Sequence, residues 1–171
     1  MGLFSFLKDA GAKLFKRKKE EVTVPEEAEK TQEENIQALK DAVADLGIEV
    51  KDFFVDLQKD TVIVFGEVRS QADKEKIILT LGNVDGVEEV DDRMTVVEPE
   101  PEADFYEVKK GDSLSKIAKV YYGDVLKYPV IFEANKPMLK DVNLIYPGQV
   151  LRIPKLYLVN LQESYTLFDN L

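Results

Sequence analysis

Three short sequence blocks in the last third of the chain limit its fold more tightly than its composition does. They run from Phe105 to Asp124, from Ile131 to Pro137 and from Ile145 to Pro154. The first block opens with strand-forming residues and continues into a helix, whose first free amides Asp112 or Ser113 can cap. Gly123 is predicted to end this helix. A second helical stretch and a Pro-Gly turn before the last strand-forming run complete a predicted β-α-α-β order.

The order and spacing of these blocks resemble the LysM domain, a small binding module, and we assign residues 105–154 to it. The resemblance implies recognition rather than catalysis. LysM domains elsewhere bind N-acetylglucosamine chains in a groove between two loops, so peptidoglycan is one alternative ligand. The matching positions here are Gly111, Asp112, Ser113, Leu114, Asn135, Pro137, Ile145 and Tyr146. Helix capping and core packing are competing explanations for these residues.

The preceding segment, residues 32–97, predicts a second small domain of the order αββαβ. Thr31 is predicted to cap its first helix, and Ser70 its second, while Gly82 ends the second helix. The strands and second helix are predicted at Ile48–Gln58, Thr61–Val68, Gln71–Leu81 and Val87–Val97. This order, with the Gly82-Asn-Val-Asp-Gly86 turn, resembles the BON domain. The predicted fold class is therefore α+β, with an N-terminal helix preceding the two domains.

The segments outside the two domains are predicted from their composition. Residues 1–19 have apolar residues at helical spacing and a basic end, which predicts an amphipathic helix. We expect this helix to dock on the protein rather than on a membrane. Residues 20–31 and 98–104 are acidic or proline-containing and are predicted to be linkers, and residues 155–171 form a C-terminal extension.

The composition narrows the classes of function. The chain has no cysteine and no histidine, which excludes disulfides, thiol nucleophiles and Ser-His-Asp triads, and we expect no enzyme activity. Residues 20–104 carry 25 acidic and eight basic side chains, so this region would repel nucleic acid and attract cations. The opening residues do not fit a secretory signal and no apolar run reaches membrane-spanning length, so we expect a cytoplasmic protein.

Four stretches carry a wider resemblance, namely Met1–Phe4, Lys8–Gly11, the Gly82–Gly86 turn and Phe132–Lys140. With them, the whole arrangement over residues 1–154 resembles a family of bacterial cytoplasmic potassium-binding proteins. This resemblance implies that the chain is a sensor or buffer that binds K⁺ and becomes more compact. It also implies that backbone carbonyls of the first helix and of the BON turn hold the ion. The residues carried over are Leu7, Ala10, Gly82, Val84 and Val87.

A carbonyl site at this turn is consistent with the chemistry of K⁺, whose water shell a ring of backbone carbonyls can replace. The last carbonyls of a helix have no intrahelical partner and carry partial negative charge. Two alternatives remain open at this stage. The acidic residues that follow Val84 could bind calcium, although their spacing is not that of an EF-hand loop. The LysM domain could also serve as a scaffold for a protein partner.

Overall fold

The computed structural model describes residues 2–6 and 25–156, which form two domains of mixed helices and strands. The first contains strand β1, helix α1, strands β2 and β3, helix α2 and strand β4. The second contains strand β5, helix α3, a short 3₁₀ turn, helix α4 and strand β6. In chain order these elements are β1 (Gly2–Ser5), α1 (Pro25–Ala44), β2 (Lys51–Gln58), β3 (Thr61–Ser70), α2 (Gln71–Gly82), β4 (Glu89–Glu98), β5 (Asp104–Glu107), α3 (Leu114–Tyr122), the 3₁₀ turn (Val125–Lys127), α4 (Tyr128–Ala134) and β6 (Val150–Ile153).

The first domain is a four-stranded sheet in the order β1-β4-β3-β2, with helices α1 and α2 packed on it. Strands β2 and β3 pair antiparallel as a hairpin, and Lys59 at its tip has a positive φ of 59°. Strands β3 and β4 are parallel, so α2 is the crossover between them. The core lies between the helices and the sheet, and Leu39, Val62 and Ile77 in it are completely buried.

Helix α2 begins where the sequence predicts. The Ser70 side chain accepts a hydrogen bond from the Asp73 amide at 3.1 Å, which caps the first turn. At the other end, the Asn83 amide donates to the Leu79 carbonyl at 2.9 Å. The helix therefore closes at Gly82 and leaves its last carbonyls at the start of the turn that follows.

The second domain packs helices α3 and α4 against the antiparallel pair β5 and β6. The Ser113 side chain caps α3 by accepting the Lys116 amide at 3.3 Å, and Gly123 ends it with a φ of 73°. Ala118, Ile131 and other buried apolar side chains form a separate core. The predicted α+β class, with the orders αββαβ and βααβ, is confirmed.

The predicted start of the N-terminal helix is wrong. Residues Gly2–Ser5 form a strand that pairs antiparallel with β4, from Gly2 opposite Asp92 to Ser5 opposite Glu89. The apolar spacing looked helical, but β4 presents a free edge, and pairing with this edge overrides a short local pattern. The remainder of the predicted helix, residues 7–19, lies outside the described residues.

Helix α1 begins earlier than predicted. It runs from Pro25 rather than from a cap at Thr31, so residues 25–31 are helical and do not belong to a linker. Proline suits the first position of a helix because the amide that it lacks would have no partner there. The acidic composition of residues 26–29, interpreted as a linker, also suits the first turn of a helix.

The two domains are held together across α2 and β6. The Arg152 Nε atom of β6 donates to the Glu75 carboxylate of α2 at 2.5 Å, and both side chains are buried. The connection between the domains also takes part, because the Ala103 amide donates to the same carboxylate at 3.0 Å. The Phe4 ring of β1 meets the Phe105 ring of β5 edge-on at a centroid distance of 5.4 Å. These contacts place α2 directly beside the second domain.

Within the described residues, no helix combines the length and the apolar character needed to cross a membrane.

Candidate functional site

The turn after helix α2, residues 82–87, is enclosed by the protein. Val84 is 2% exposed and Val87 is 1% exposed, and Gly82 and Asn83 are also buried. Buried backbone carbonyls are costly unless they find a partner, so the direction of each carbonyl in this turn matters. The hydrogen bonds of the neighbouring amides fix these directions.

The carbonyl of Gly82 projects beyond the end of the helix. It belongs to the same planar peptide unit as the Asn83 N–H, which points back to the Leu79 carbonyl at 2.9 Å. The Gly82 oxygen must therefore point the opposite way, out of the helix end. Carbonyls in this position carry the partial negative charge of the helix dipole.

The directions of the Val84 and Val87 carbonyls are also fixed by hydrogen bonds. The Val84 oxygen accepts the Val87 amide at 3.1 Å, and a carbonyl oxygen has a second lone pair for another partner. The Glu88 amide points to the Asp60 carbonyl at 2.8 Å, next to the start of β3. The Val87 oxygen in the same peptide unit therefore points away from Asp60, toward the side on which β1 lies.

The N-terminal strand closes over this turn through Phe6. Its amide donates to the Glu88 carbonyl at 2.7 Å, and its ring rests on Gly82. A Cβ atom added to Gly82 would lie only 2.1 Å from the Phe6 ring, so no larger residue fits without displacing the ring. Glycine at position 82 thus permits direct contact between the N-terminal segment and the turn.

Gly86 provides the second conformational requirement of the turn. Its φ of 92° lies in a region that residues with a side chain rarely adopt. This conformation reverses the chain between Val84 and Val87. The two predicted glycines therefore have separate roles, one in close packing and one in backbone direction.

The Asn83 side chain connects the turn to the second domain. Its Nδ2 atom donates to the Leu79 carbonyl and to the Val150 carbonyl of β6, each at 2.9 Å. Its Oδ1 atom accepts the Val150 amide at 2.8 Å. The carboxamide, which is 8% exposed, thus pairs with β6 as another strand would.

The acidic side chains near the turn do not gather into a metal site. Asp92 is buried and pairs with Lys74 at 2.8 Å, and Asp91 pairs with Arg93 at 2.7 Å. Among the residues that the structure describes, no group of three or more Asp, Glu, His or Cys side chains could hold a metal ion. The oxygen atoms that this turn can offer a cation are therefore neutral backbone carbonyls, which suit a monovalent cation better than calcium.

Three of the five residues carried over as ion ligands, Gly82, Val84 and Val87, lie in this one turn. The other two, Leu7 and Ala10, lie outside the described residues. Phe6, which immediately precedes Leu7, packs on Gly82. The chain therefore enters the undescribed segment directly beside the turn.

The residues of the alternative glycan site differ from one another in how exposed they are. Leu114 and Asn135 are each 2% exposed and belong to the interior of the second domain. The Asn135 carboxamide is fully engaged, since Nδ2 donates to Ile131 and Arg152 carbonyls and Oδ1 accepts the Arg152 amide. Exposed positions in this set are Gly111, Ser113, Pro137 and Tyr146, and Asp112 and Ile145 are partly exposed.

Asp112 is held in place by its own domain. Tyr106 donates its hydroxyl to the Asp112 carboxylate at 2.7 Å, and the Lys109 amide donates to the same oxygen at 2.8 Å. The Lys109 amide is the main reason that the pKa of Asp112 is lowered. The hydrogen bond to Asp112 is the main reason that the pKa of Tyr106 is raised to about 12. These contacts stabilise the loop before α3.

Sequence reasoning missed two residues of the ion-site candidate, Phe6 and Asn83. The apolar spacing around Phe6 predicts a helix, and its actual partner Gly82 lies 76 residues further along the chain. Asn83 lies directly after the helix-ending glycine, where a capping role would explain it fully. Nothing in the local sequence indicates that its partner is Val150, which lies 67 residues further along the chain.

Comparison with known domain families identifies the class of protein to which the chain belongs. A family model for the BON domain matches residues 24–98, and one for the LysM domain matches residues 106–154. The αββαβ and βααβ orders of the two domains agree with these matches. The fold and the site thus belong to a two-domain protein composed of a BON domain followed by a LysM domain.

Two proteins of similar sequence bear on the family to which the chain belongs. The chain is 44% identical over 156 residues to the potassium binding protein Kbp of Escherichia coli O6:H1, covering 91% of this chain and 99% of Kbp. It is also 55% identical over 49 residues to an uncharacterized protein of Deinococcus radiodurans, covering 29% of this chain and 19% of that protein. The chain therefore belongs to the same family as Kbp.

Proposed function

We propose that this chain binds K⁺ in the cytoplasm and acts as a sensor or buffer of that ion. The main support is the 44% identity over 156 residues to a relative named potassium binding protein. The proposed ligands are the backbone carbonyls of Leu7 and Ala10, in the N-terminal segment, and those of Gly82, Val84 and Val87. The described part of this set lies in one buried turn whose carbonyls are directed by hydrogen bonds.

The donor chemistry supports a large monovalent cation. Neutral carbonyl oxygens can replace the hydration shell of K⁺, whereas calcium and magnesium favour carboxylates or retained water. The surrounding acidic residues raise the local concentration of cations without acting as ligands. The net charge of −10 is consistent with this long-range attraction.

Binding is proposed to favour a compact arrangement of the chain. An ion held jointly by the N-terminal segment and the BON turn stabilises any state in which both are in place. In the described structure Phe6 packs on Gly82, and Asn83 bonds to the LysM strand β6. A state that assembles the ligands therefore also brings the two domains together.

The test is a titration with KCl, matched by a titration with NaCl at the same ionic strength. Thermal stability and the radius of gyration from small-angle X-ray scattering are followed together. K⁺ at a hundred times its dissociation constant should stabilise the native state by about 2.7 kcal/mol and reduce the radius. The NaCl titration controls for screening of the acidic surface.

Equal responses to KCl and NaCl would refute the proposed ion specificity. Stabilisation by K⁺ without a decrease in radius would leave binding in place but contradict the compaction mechanism. A buffer and a sensor differ in their downstream partners, and a K⁺-dependent pull-down from cell extract distinguishes them. A sensor should retain specific proteins only when K⁺ is present.

A second candidate function is binding of N-acetylglucosamine chains by the LysM domain. It is favoured by the exposure of several of the matching positions, among which Tyr146 is 58% exposed. Aromatic side chains at such positions can pack on sugar rings. Co-sedimentation with purified peptidoglycan tests this function, and Tyr146→Ala should lose the binding if it occurs there.

A further inference from the structure

Strand β6 has an outer edge that is completed by two asparagine side chains. Asn135, at the end of α4, donates to the Arg152 carbonyl and accepts the Arg152 amide, each at 2.8 Å. Asn83, at the end of α2, forms the same pair of bonds with Val150, two residues earlier. Both residues also donate through Nδ2 to the carbonyl four residues before them, Ile131 or Leu79.

The two asparagines differ in the domain that supplies them. Asn135 belongs to the LysM domain, so its bonds to β6 form whenever that domain is folded. Asn83 belongs to the BON domain, so its bonds to β6 form only when the two domains are docked. A carboxamide offers a donor and an acceptor side by side, as a backbone residue in a neighbouring strand does.

Asn83 is also part of the candidate ion turn. Its backbone amide and its Nδ2 atom both donate to the Leu79 carbonyl at 2.9 Å. The amide fixes the peptide plane that directs the Gly82 carbonyl, and the side chain anchors the same residue to the helix end. The direction of the Gly82 carbonyl and the bonds to Val150 are therefore both set by Asn83.

The other contacts between the domains that are described above do not involve the 82–87 turn. The Glu75–Arg152 ion pair uses a residue two turns earlier on α2. The Phe4–Phe105 contact joins β1 to β5. Within the part of the chain that the structure describes, Asn83 is the residue of the 82–87 turn that hydrogen-bonds to the LysM domain.

We propose that Asn83 is the positioning residue that links K⁺ binding to docking of the LysM strand β6. The inference rests on the proposed function and goes further by assigning the coupling to one side chain. With K⁺ bound, the turn holds Asn83 in the orientation that pairs with Val150. Because linkage is reciprocal, docking of β6 in turn raises the affinity of the turn for K⁺.

The test compares Asn83→Asp with the matched control Asn135→Asp, each in the full chain. The first variant keeps the acceptor for the Val150 amide but loses both donors and sets a carboxylate against the Val150 and Leu79 carbonyls. The second loses the equivalent bonds inside the LysM domain. We expect Asn83→Asp to weaken K⁺ binding about tenfold by calorimetry. We expect Asn135→Asp to destabilise the LysM domain and, under conditions in which that domain remains folded, to change the K⁺ affinity less than about twofold.

Hydrogen exchange supplies a readout that a merely structural role would not alter. In the wild-type chain, K⁺ should slow exchange of the Arg152 amide, because docking protects β6. In Asn83→Asp this K⁺-dependent protection should be lost, although the acceptor of that amide, Asn135, is unchanged. Equal K⁺ affinity and equal protection in the variant and the wild type would overturn the inference.

A measurement on the wild-type chain covers the case in which Asn83→Asp does not fold. The side-chain amide protons of Asn83 should exchange more slowly with solvent when K⁺ is added. An exchange rate that is the same with and without K⁺, in a chain that binds K⁺, refutes the linkage. A wild-type chain that binds no K⁺ refutes the proposed function instead, so the two failures are distinguishable.

Discussion

Glu75 of the BON domain and Arg152 of the LysM domain form a buried ion pair across the domain interface. The Arg152 Nε atom lies 2.5 Å from the Glu75 carboxylate, and the side chains are 8% and 2% exposed, respectively. The other carboxylate oxygen accepts the Ala103 amide and the Gln71 side-chain amide, each at 3.0 Å. The carboxylate is therefore satisfied on both oxygens, by the helix, the interdomain connection and β6.

Removing Glu75 should strongly destabilise the protein. Glu75→Ala leaves a buried guanidinium without its partner, and we expect the free energy of unfolding to fall by about 3–5 kcal/mol. Urea denaturation measures this change. The control is Glu67→Ala, which removes an exposed pair with Lys51 and should cost less than about 1 kcal/mol. A cost for Glu75→Ala no larger than that of the control would contradict the assigned role.

Substitutions at Phe6 and Gly82 should have non-additive effects on the free energy of unfolding, because the two residues are in contact. Gly82→Ala introduces a methyl group against the Phe6 ring, and we expect a loss of about 1–3 kcal/mol together with faster exchange of the Phe6 amide. Phe6→Ala should remove most of this penalty in the double variant. Gly47→Ala, where nothing lies near the added carbon, should be additive with Phe6→Ala. Additivity at Gly82 as well would show that the ring does not rest there.

Two substitutions in the turn distinguish binding of the ion by backbone carbonyls from binding by carboxylate side chains. Gly86→Ala strains a residue with a φ of 92°, so it should redirect neighbouring carbonyls and weaken K⁺ binding about tenfold or more. Asp85→Asn removes a nearby charge and should weaken binding less than about threefold at physiological salt. The matched control, Gly111→Ala, strains a φ of 87° in the LysM domain and should leave K⁺ affinity unchanged. The reverse order of effects for Gly86 and Asp85 would point to carboxylate ligands.

The Tyr106–Asp112 bond predicts a loss of stability at high pH. The pKa of Tyr106 is raised from 10.0 to about 12, mainly by this hydrogen bond, so the stabilisation is complete below pH 10. It should then decline as the pH rises from 10 toward 12. Denaturation of the wild type and of Tyr106→Phe across this range measures the difference. A difference in unfolding free energy that stays constant up to pH 12 would contradict the assignment.

Local signals in the sequence predicted most of the architecture. Ser70 and Ser113 are observed as helix caps, and Gly82 and Gly123 lie at the helix ends where they were expected. These features depend on a few adjacent residues, so a single sequence contains what is needed to find them. The Gly82–Gly86 turn is also a local feature, but these local residues do not by themselves indicate K⁺; only the family resemblance does.

The errors and omissions involve contacts between distant parts of the chain. Gly2–Ser5 form a strand because β4 offers a partner edge, which no local pattern of four residues can indicate. Asn83 meets Val150 only because the two domains dock along α2 and β6. The ion-site candidate depends on both of these long-range relationships, so its surroundings could not be derived from periodicity and capping alone.

The proposed ion site consists of backbone carbonyls at the end of helix α2. A crystal structure with Rb⁺ in place of K⁺, located by its anomalous scattering, observes this site without an intermediate assumption. We expect one strong peak in contact with the carbonyl oxygens of Gly82, Val84 and Val87, with those of Leu7 and Ala10 completing the shell. A peak bound by carboxylate side chains, or no peak at this turn at saturating Rb⁺, would refute the carbonyl site.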